Sequence, residues 1–508
     1  MSPDDPREER SPPRPEITLP GLNPQNRFLT LGEDYYSRVE PEPLPDARLL
    51  HVNRDLAAEL GLSPDSLDSP EFLALMSGNA RLSGGCEIAT VYAGHQFGVF
   101  VPQLGDGRAI LLAQVQDTQG HWQDIQLKGA GPTPYSRFAD GRAVLRSSIR
   151  EYLAGSALHH LGIPSTRALS LVGSSLPLRR ETIESAAVIS RIAPSHLRFG
   201  QFEFFYYQGR HEALAPLADQ VIEQHFPELF EHPQRHAAWL RIVVERSARL
   251  MAQWQTVGFC HGVMNTDNFS VLGLTLDYGP YGFLDAFDAH HICNHTDEGG
   301  RYAYDRQPEV GHWNCSRLLQ ACLPLLHEVP EQAVEIAQAI LDAYPPAYTE
   351  AVTRRWRAKL GLVAEESDDP ELINRLLTIM HRSRADFTRS FRMLSELEST
   401  TDAALRLRDY FSDLEAFDAW LGDYRARLRR EHSDDAQRRQ HMNAVNPKYV
   451  LRNWMAQGAI EQAQQGDATE IDRLMRLLAR PYDEQPDMER YFAEPPAWAQ
   501  HIEVSCSS

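Results

Sequence analysis

The stretch "HGVMNTDNFSVLGLTLDYGP", residues 261–280, places a histidine, an asparagine and an Asp-x-Gly turn at the spacing that holds a metal-bound nucleotide triphosphate. The histidine is His261, the amide is Asn268 and the turn is Asp277-Tyr278-Gly279. Asn268 and Asp277 offer an amide oxygen and a carboxylate. Together with phosphate oxygens these suit Mg2+ or Mn2+, hard ions that prefer oxygen ligands. Such sites ordinarily carry an aspartate two residues after the histidine, where it accepts the proton of the attacking hydroxyl. Val263 stands there and accepts nothing. The pattern keeps its metal chemistry without its usual base. A surface hairpin with an incidental acid is the plain alternative.

Elements must hold these side chains in place. Apolar and polar residues alternate on both sides of Gly273, which predicts a tight hairpin that Asn268 enters and Asp277 leaves. Upstream, "GVFVPQL", "RAILLAQV" and "HWQDIQLK" read as three successive antiparallel strands. Ile125 and Leu127 share one face of the third, so Lys128 ends it on the other. In the turn before the second strand, Gly105 and Gly107 let backbone approach phosphate and Arg108 adds charge, although a "DG" turn is also a plain hairpin signal. In "AVLRSSIREYLAGSALHHLG", Leu145, Ile149, Tyr152, Leu153 and Leu161 form the apolar stripe of a helix closed by Gly162. Glu151 lies off that stripe, on a face with Val144, Ser148, Gly155 and Leu158. A carboxylate there needs a cation, and Lys128 is the available partner. Arg191 and Arg198, in "ISRIAPSHLRFGQFE", either grip terminal phosphates by bidentate hydrogen bonds or form surface ion pairs.

A Gly-rich hairpin, a strand-end lysine and a helix glutamate, followed by mostly helical sequence from about 210 to 480, predict an α+β, protein-kinase-like fold of two lobes. The small lobe is β-rich and mixed, and the large lobe is mainly helical. The expected divisions are a Pro-rich mobile tail over 1–25 and a small lobe with an N-terminal extension over 26–205. A helical large lobe carrying the metal hairpin follows over 206–440, and a C-terminal extension ending near Cys506 occupies 441–508. The chain has 508 residues, with 50 Lys plus Arg against 70 Asp plus Glu, a net charge of -20. That balance weighs against nucleic acid and anionic membranes as partners. No run of about 18 apolar residues occurs. Six cysteines, without CxxC spacing, point to a reducing, cytoplasmic setting. His290, His291, Cys293 and His295 match no common zinc spacing and read as loop side chains.

The blocks "YAGHQFGVFVPQLGDGRA", "QLKGAGPTPYSR", "DGRAVLRSSIREYL", "HGVMNTDNFS", "LDYGPYGFLDAF" and "NPKYVLRN" resemble the selenoprotein O family, kinase-fold proteins that act as protein adenylyltransferases. The resemblance implies ATP held end for end relative to a kinase, with the alpha phosphorus facing the acceptor. AMP then passes to Ser, Thr or Tyr of a protein and pyrophosphate leaves. Bacterial members are linked to UMP transfer from UTP and to Mn2+. Carried over, Gly105, Gly107, Arg108, Lys128, Asp140, Gly141, Arg191, Arg198 and Asp277 contact the nucleotide, Asn268 and Asp277 hold the metal, and Asp267 accepts the proton. The rival expectations are a kinase whose base has moved to Asp267 and an inactive nucleotide-binding scaffold. Cys506 stands where some members carry selenocysteine, and its pairing with Cys293 is a further expectation.

Overall fold

A computed structural model describes residues 14–399, 406–502 and 504, so Cys506 and its expected pairing lie outside the described residues. The chain is α+β. Its first half is built on an eight-stranded antiparallel sheet with the spatial order Tyr36–Arg38, Ile88–Thr90, Ala109–Gln116, Trp122–Lys128, Ile183–Ala193, Arg167–Arg179, Arg48–Val52. Ala143–Val144 adds to the strand Ile183–Ala193. Alternation along the strands sends side chains to two cores. Leu111, Leu171 and Ile189 face the helix Leu145–His160. Ile110, Leu112, Ile125, Leu127 and Val188 face the N-terminal helices Arg54–Glu59 and Pro70–Met76. Lys128, next to Leu127, therefore points to the helix side, opposite Ala109 and Ile189 on its two neighbouring strands.

The glutamate helix, Leu145–His160, is buried on nearly every side. One side packs on the strands Arg167–Arg179 and Ile183–Ala193, and another on Asn453–Gln464 and Thr469–Leu478. These C-terminal helices share its apolar cluster. Arg150 fastens the helix further. It donates to Tyr281 O at 2.6 Å and to Asn453 Oδ1 at 3.1 Å, and its guanidinium lies 4.5 Å from the Tyr281 ring centre. The Tyr281 hydroxyl returns a hydrogen bond to Arg150 O at 2.7 Å.

Three expectations change. Residues 14–25 are no tail: Glu16–Ile17 pairs in parallel with Arg81–Leu82, Leu19 and Leu22 are buried, and Arg14 binds Glu87 at 2.7 Å. A few apolar side chains outweigh the Pro-rich composition. "GVFVPQL" is not a strand of the main sheet. Val99–Val101 folds back on Gly94–Gln96 as a separate ribbon. Pro102 has no N–H to continue a ladder, and buried Asp106 accepts from Thr90 N and Oγ1 at 2.9 and 2.7 Å, drawing residues 104–106 alongside 90–92. The stretch around Gly273 turns as expected, with Gly273 N donating to Ser270 O, but its arms do not pair with each other. Val271 N donates to Leu197 O on one side, and Thr275 N to Pro164 O on the other. Val271, Leu272 and Leu276 are all buried, so each arm satisfies its backbone against a different segment.

The second half is helical, centred on the helix Arg235–Val257, which ends at Gly258 in the left-handed region. Among the described residues, no helix is long and apolar enough to cross a membrane.

Candidate nucleotide and metal site

A cavity of about 740 Å³ opens between the sheet and the helical half, within the size range of small-molecule sites. Gly105, Gly107, Arg108, Lys128, Asp140, Gly141, Arg191, Arg198, Asp267, Asn268 and Asp277 all line it. Eight arginine and lysine side chains face five acids there, a cationic cleft in an anionic chain.

Glu151 lies behind the lining. Lys128 Nζ meets its Oε2 at 2.5 Å, and Arg191 Nε binds its Oε1. Arg191 continues to Asp277 Oδ1 at 2.6 Å, and Arg198 binds Asp277 Oδ2. The result is a continuous chain of charge, Lys128–Glu151–Arg191–Asp277–Arg198. Its members take different pKa directions. Burial pushes Glu151 up, but Arg191 and Lys128 outweigh it and keep the carboxylate ionised. Asp277 is likewise pushed up by burial and held well below the usual range by Arg198, Arg191 and Lys128. Lys128 is brought down to about 8, chiefly by burial, with Arg191 and Arg108 adding to it. The two arginines therefore grip a carboxylate of the protein, not a surface acid. Their grip crosses from the sheet strand to the Asp277 turn.

Asp267, the expected base, differs in environment. Asp267 is 7% exposed, its Oδ1 is buried without a hydrogen-bond partner, and burial pushes its pKa up to about 7. Arg198 opposes this shift, while Asp277 and Glu203 add to it. Gly94 makes room for the carboxyl, because a Cβ there would lie 2.5 Å from Asp267 Oδ1. His261, fully buried, accepts from Val263 N at Nδ1 and meets Leu276 O at Nε2, 2.9 Å away, and burial lowers its pKa. It is a neutral brace between the Val263 turn and Asp277, whose φ of 60° is unusual for a non-glycine residue.

Oxygen donors that suit a hard cation are present. Asn268 spends its Nδ2 on Val263 O at 3.0 Å, which leaves its amide oxygen for a ligand, and Asp277 supplies the carboxylate. Both Asp277 oxygens are held by arginines here, so a cation would have to share or displace them. Among the described residues, no group of three or more His, Cys, Asp or Glu is arranged to hold a metal. Nucleotide oxygens would have to complete the shell. In the loop after the Asp277 turn, His290 pairs with Asp305 at 2.7 Å, Cys293 is buried with its Sγ toward Cys260 O, and His295 Nδ1 lies 3.1 Å from Val504 O.

Two glycines are explained by packing as well as by ligand approach. Gly105 has φ 135° and a Cβ there would strike the Tyr135 ring at 2.5 Å. A Cβ at Gly141, φ 66°, would meet Gly131 at 2.2 Å. Asp140 is held bidentately by Arg180 at 2.8 and 2.9 Å. Arg180, Arg142 and Arg146 also line the cleft and were missed; the "RR" doublet at 179–180, next to a strand turn, was the available signal.

Comparisons with known proteins give the chain relatives over nearly its whole length. The family described as "Protein adenylyltransferase SelO" matches residues 19–479. A protein of Methylococcus capsulatus named protein nucleotidyltransferase YdiU is 57% identical over 500 residues, covering 98% of each chain. Proteins of the same name from Myxococcus xanthus and Thioalkalivibrio sulfidiphilus are each 52% identical, covering 97% and 95% of this chain and 100% and 98% of their own.

Proposed function

The chain belongs to the SelO family of protein adenylyltransferases, and on that footing we propose that it moves AMP from ATP to a Ser, Thr or Tyr hydroxyl of a protein. The oxygen of the hydroxyl forms a bond to the alpha phosphorus, the bond from that phosphorus to the bridging oxygen breaks, and pyrophosphate leaves. Asp267 takes the hydroxyl proton. The observation that carries this reading is the contrast between Asp267 and Val263. The cleft has a buried carboxyl with a free oxygen and a pKa about 7 beside Asn268, and an apolar side chain where a gamma-phosphoryl base would stand.

Arg191, Arg198 and Lys128 bind the triphosphate in this reading, with Glu151 keeping Lys128 and Arg191 in place. Asn268 and Asp277 would hold Mg2+ or Mn2+, which would neutralise phosphate charge. Arg191 and Arg198, which hold Asp277 in the cleft, would bind phosphate oxygens with Asp277 given over to the cation. The lobes take the arrangement of a protein kinase, with sheet above and helices below, and the nucleotide lies reversed between them. UTP enters the same cleft as an alternative donor, transferring UMP. The enzyme works in the cytoplasm.

The test is incubation of the protein with ATP labelled on either the alpha or the gamma phosphate, with Mg2+ or Mn2+. Alpha label on protein is expected, and Asp277→Ala abolishes it. Gamma label on protein would support a kinase, and neither label beside clear ATP binding would support a scaffold. Labelled UTP run in parallel reads donor preference.

A further inference from the structure

On the front of the cleft, the ribbon Gly94–Gln96 and Val99–Val101 ends in exposed apolar side chains. Phe97 is 43% exposed and Val99 69%. The ribbon continues into an aromatic surface: Phe100 lies 4.2 Å from Tyr207, itself exposed, and His95 meets the edge of Trp313 at 5.4 Å. Two arginines flank Trp313, Arg301 at 4.8 Å and Arg317 at 5.2 Å from its ring centre. Neither guanidinium has an acidic partner among the described residues. Arg301 Nε is buried without a hydrogen-bond partner, and Arg317 donates to Ser316 Oγ at 3.2 Å. In a chain with 70 acids, two half-buried guanidiniums stacked on an aromatic ring and left without a carboxylate are open to an acidic partner.

This surface is continuous with the cleft. Phe97 N donates to the Tyr302 hydroxyl at 2.8 Å, and that hydroxyl donates to Asn265 Oδ1 at 2.7 Å. His95 N donates to Thr266 Oγ1 at 2.7 Å, one residue before Asp267. Gln96 and Asn265 line the nucleotide cavity. Among the described residues, no further strand pairs with Val99–Val101 beyond its ribbon partner, so an edge is open to an extended main chain.

We propose that this aromatic and cationic face docks an acidic, extended segment of the acceptor protein beside the hydroxyl to be modified. The proposal rests on the transferase reading above. Arg301 and Arg317 take the acidic side chains. Phe97, Val99 and Tyr207 take an apolar neighbour, with Tyr207 and the two arginines the residue types on which binding energy concentrates.

Two synthetic peptides test it, each with one tyrosine, flanked by Glu and Leu in one and by Lys and Leu in the other. Alpha-label incorporation by the full chain with Mn2+ and ATP gives kcat/KM for each, and fluorescence anisotropy gives peptide binding. The acidic peptide is expected to lead at least tenfold. Arg317→Glu and, separately, the largely exposed Val99→Asp are expected to reduce that lead about tenfold through KM, with kcat and ATP affinity near wild type and Arg317→Lys largely retaining it. Equal use of the two peptides, or a preference untouched by both variants, overturns the docking face while leaving the transferase reading intact. Loss of alpha label from every acceptor would instead sink the transferase reading, and the anisotropy measurement then still decides whether the face binds acidic peptide. An Arg317→Glu change that abolishes a dimer of the chain without altering peptide binding also overturns the proposal.

Discussion

As the proposed base, Asp267 would join stability and reactivity in one carboxyl. Its folded pKa of about 7 exceeds the ordinary value of 3.8, so between those limits the folded chain holds a proton that the unfolded chain has lost. Stability therefore falls as pH rises through that window. Asp267→Asn is expected to raise thermal stability above pH 7, by about 2–4 kcal/mol at ~1.4 kcal/mol per unit, while AMP transfer drops about 10²–10⁴-fold. The base form exists only above the folded pKa, so wild-type transfer should climb as pH passes about 7, and a pH–rate profile of alpha-label incorporation checks it. Lys128 and Glu151 are not equivalent in the same way. Lys128→Met leaves Glu151 paired with Arg191, so denaturation should shift little while transfer falls about 10²-fold. Glu151→Ala strands buried Lys128 and leaves Arg191 with Asp277 alone, and should cost about 3–5 kcal/mol in urea or thermal unfolding. The Lys128–Glu151 pair was legible because strand alternation and helix spacing each fix a face. That Arg191 and Arg198 close on Asp277 was not legible, since local sequence does not record which segments a bend brings together.

At the scale of elements, the sequence marked turns better than partners. The turn at Gly273 was visible, but an alternating pattern cannot say whether two arms pair with each other or with separate segments, and here burial of Val271 and Leu276 decided the matter. The ribbon at Val99–Val101 failed for a related reason, because Pro102 and a buried Asp106 redirect backbone that periodicity alone would leave in the sheet. Another element holds an uncompensated charge. Lys359, the last residue of the helix Tyr344–Lys359, is 5% exposed and lies over the rings of Phe387 and Phe391 at 5.6 and 4.3 Å. Burial, with help from Arg355, lowers its pKa to about 7. Between about 7 and 10.5 the folded lysine is neutral while the unfolded one is charged, so stability rises with pH across that window. Lys359→Met should stabilise the protein by about 1–4 kcal/mol at pH 7 and flatten that rise, as chemical denaturation at several pH values will read.

Across the whole molecule, the C-terminal helices are part of the machinery that holds the cleft. Leu474, fully buried beneath the glutamate helix's cluster, is expected to cost about 2–5 kcal/mol when replaced by alanine, with transfer activity lost in parallel as the melt approaches assay temperature. The α+β class was readable from element order, whereas this long-range buttress was not, because residues 453–478 and 145–160 meet only through folding. Arg150 adds a second fastening, from that helix to Tyr281 and Asn453. Enzymes that gate themselves by swinging such a helix outward break the lysine–glutamate contact to rest and remake it to fire. Pinned on opposite flanks, this one has no room for that stroke, so its lysine–glutamate contact is expected to stay made and any brake on turnover to act at the doorway through which donor and acceptor arrive.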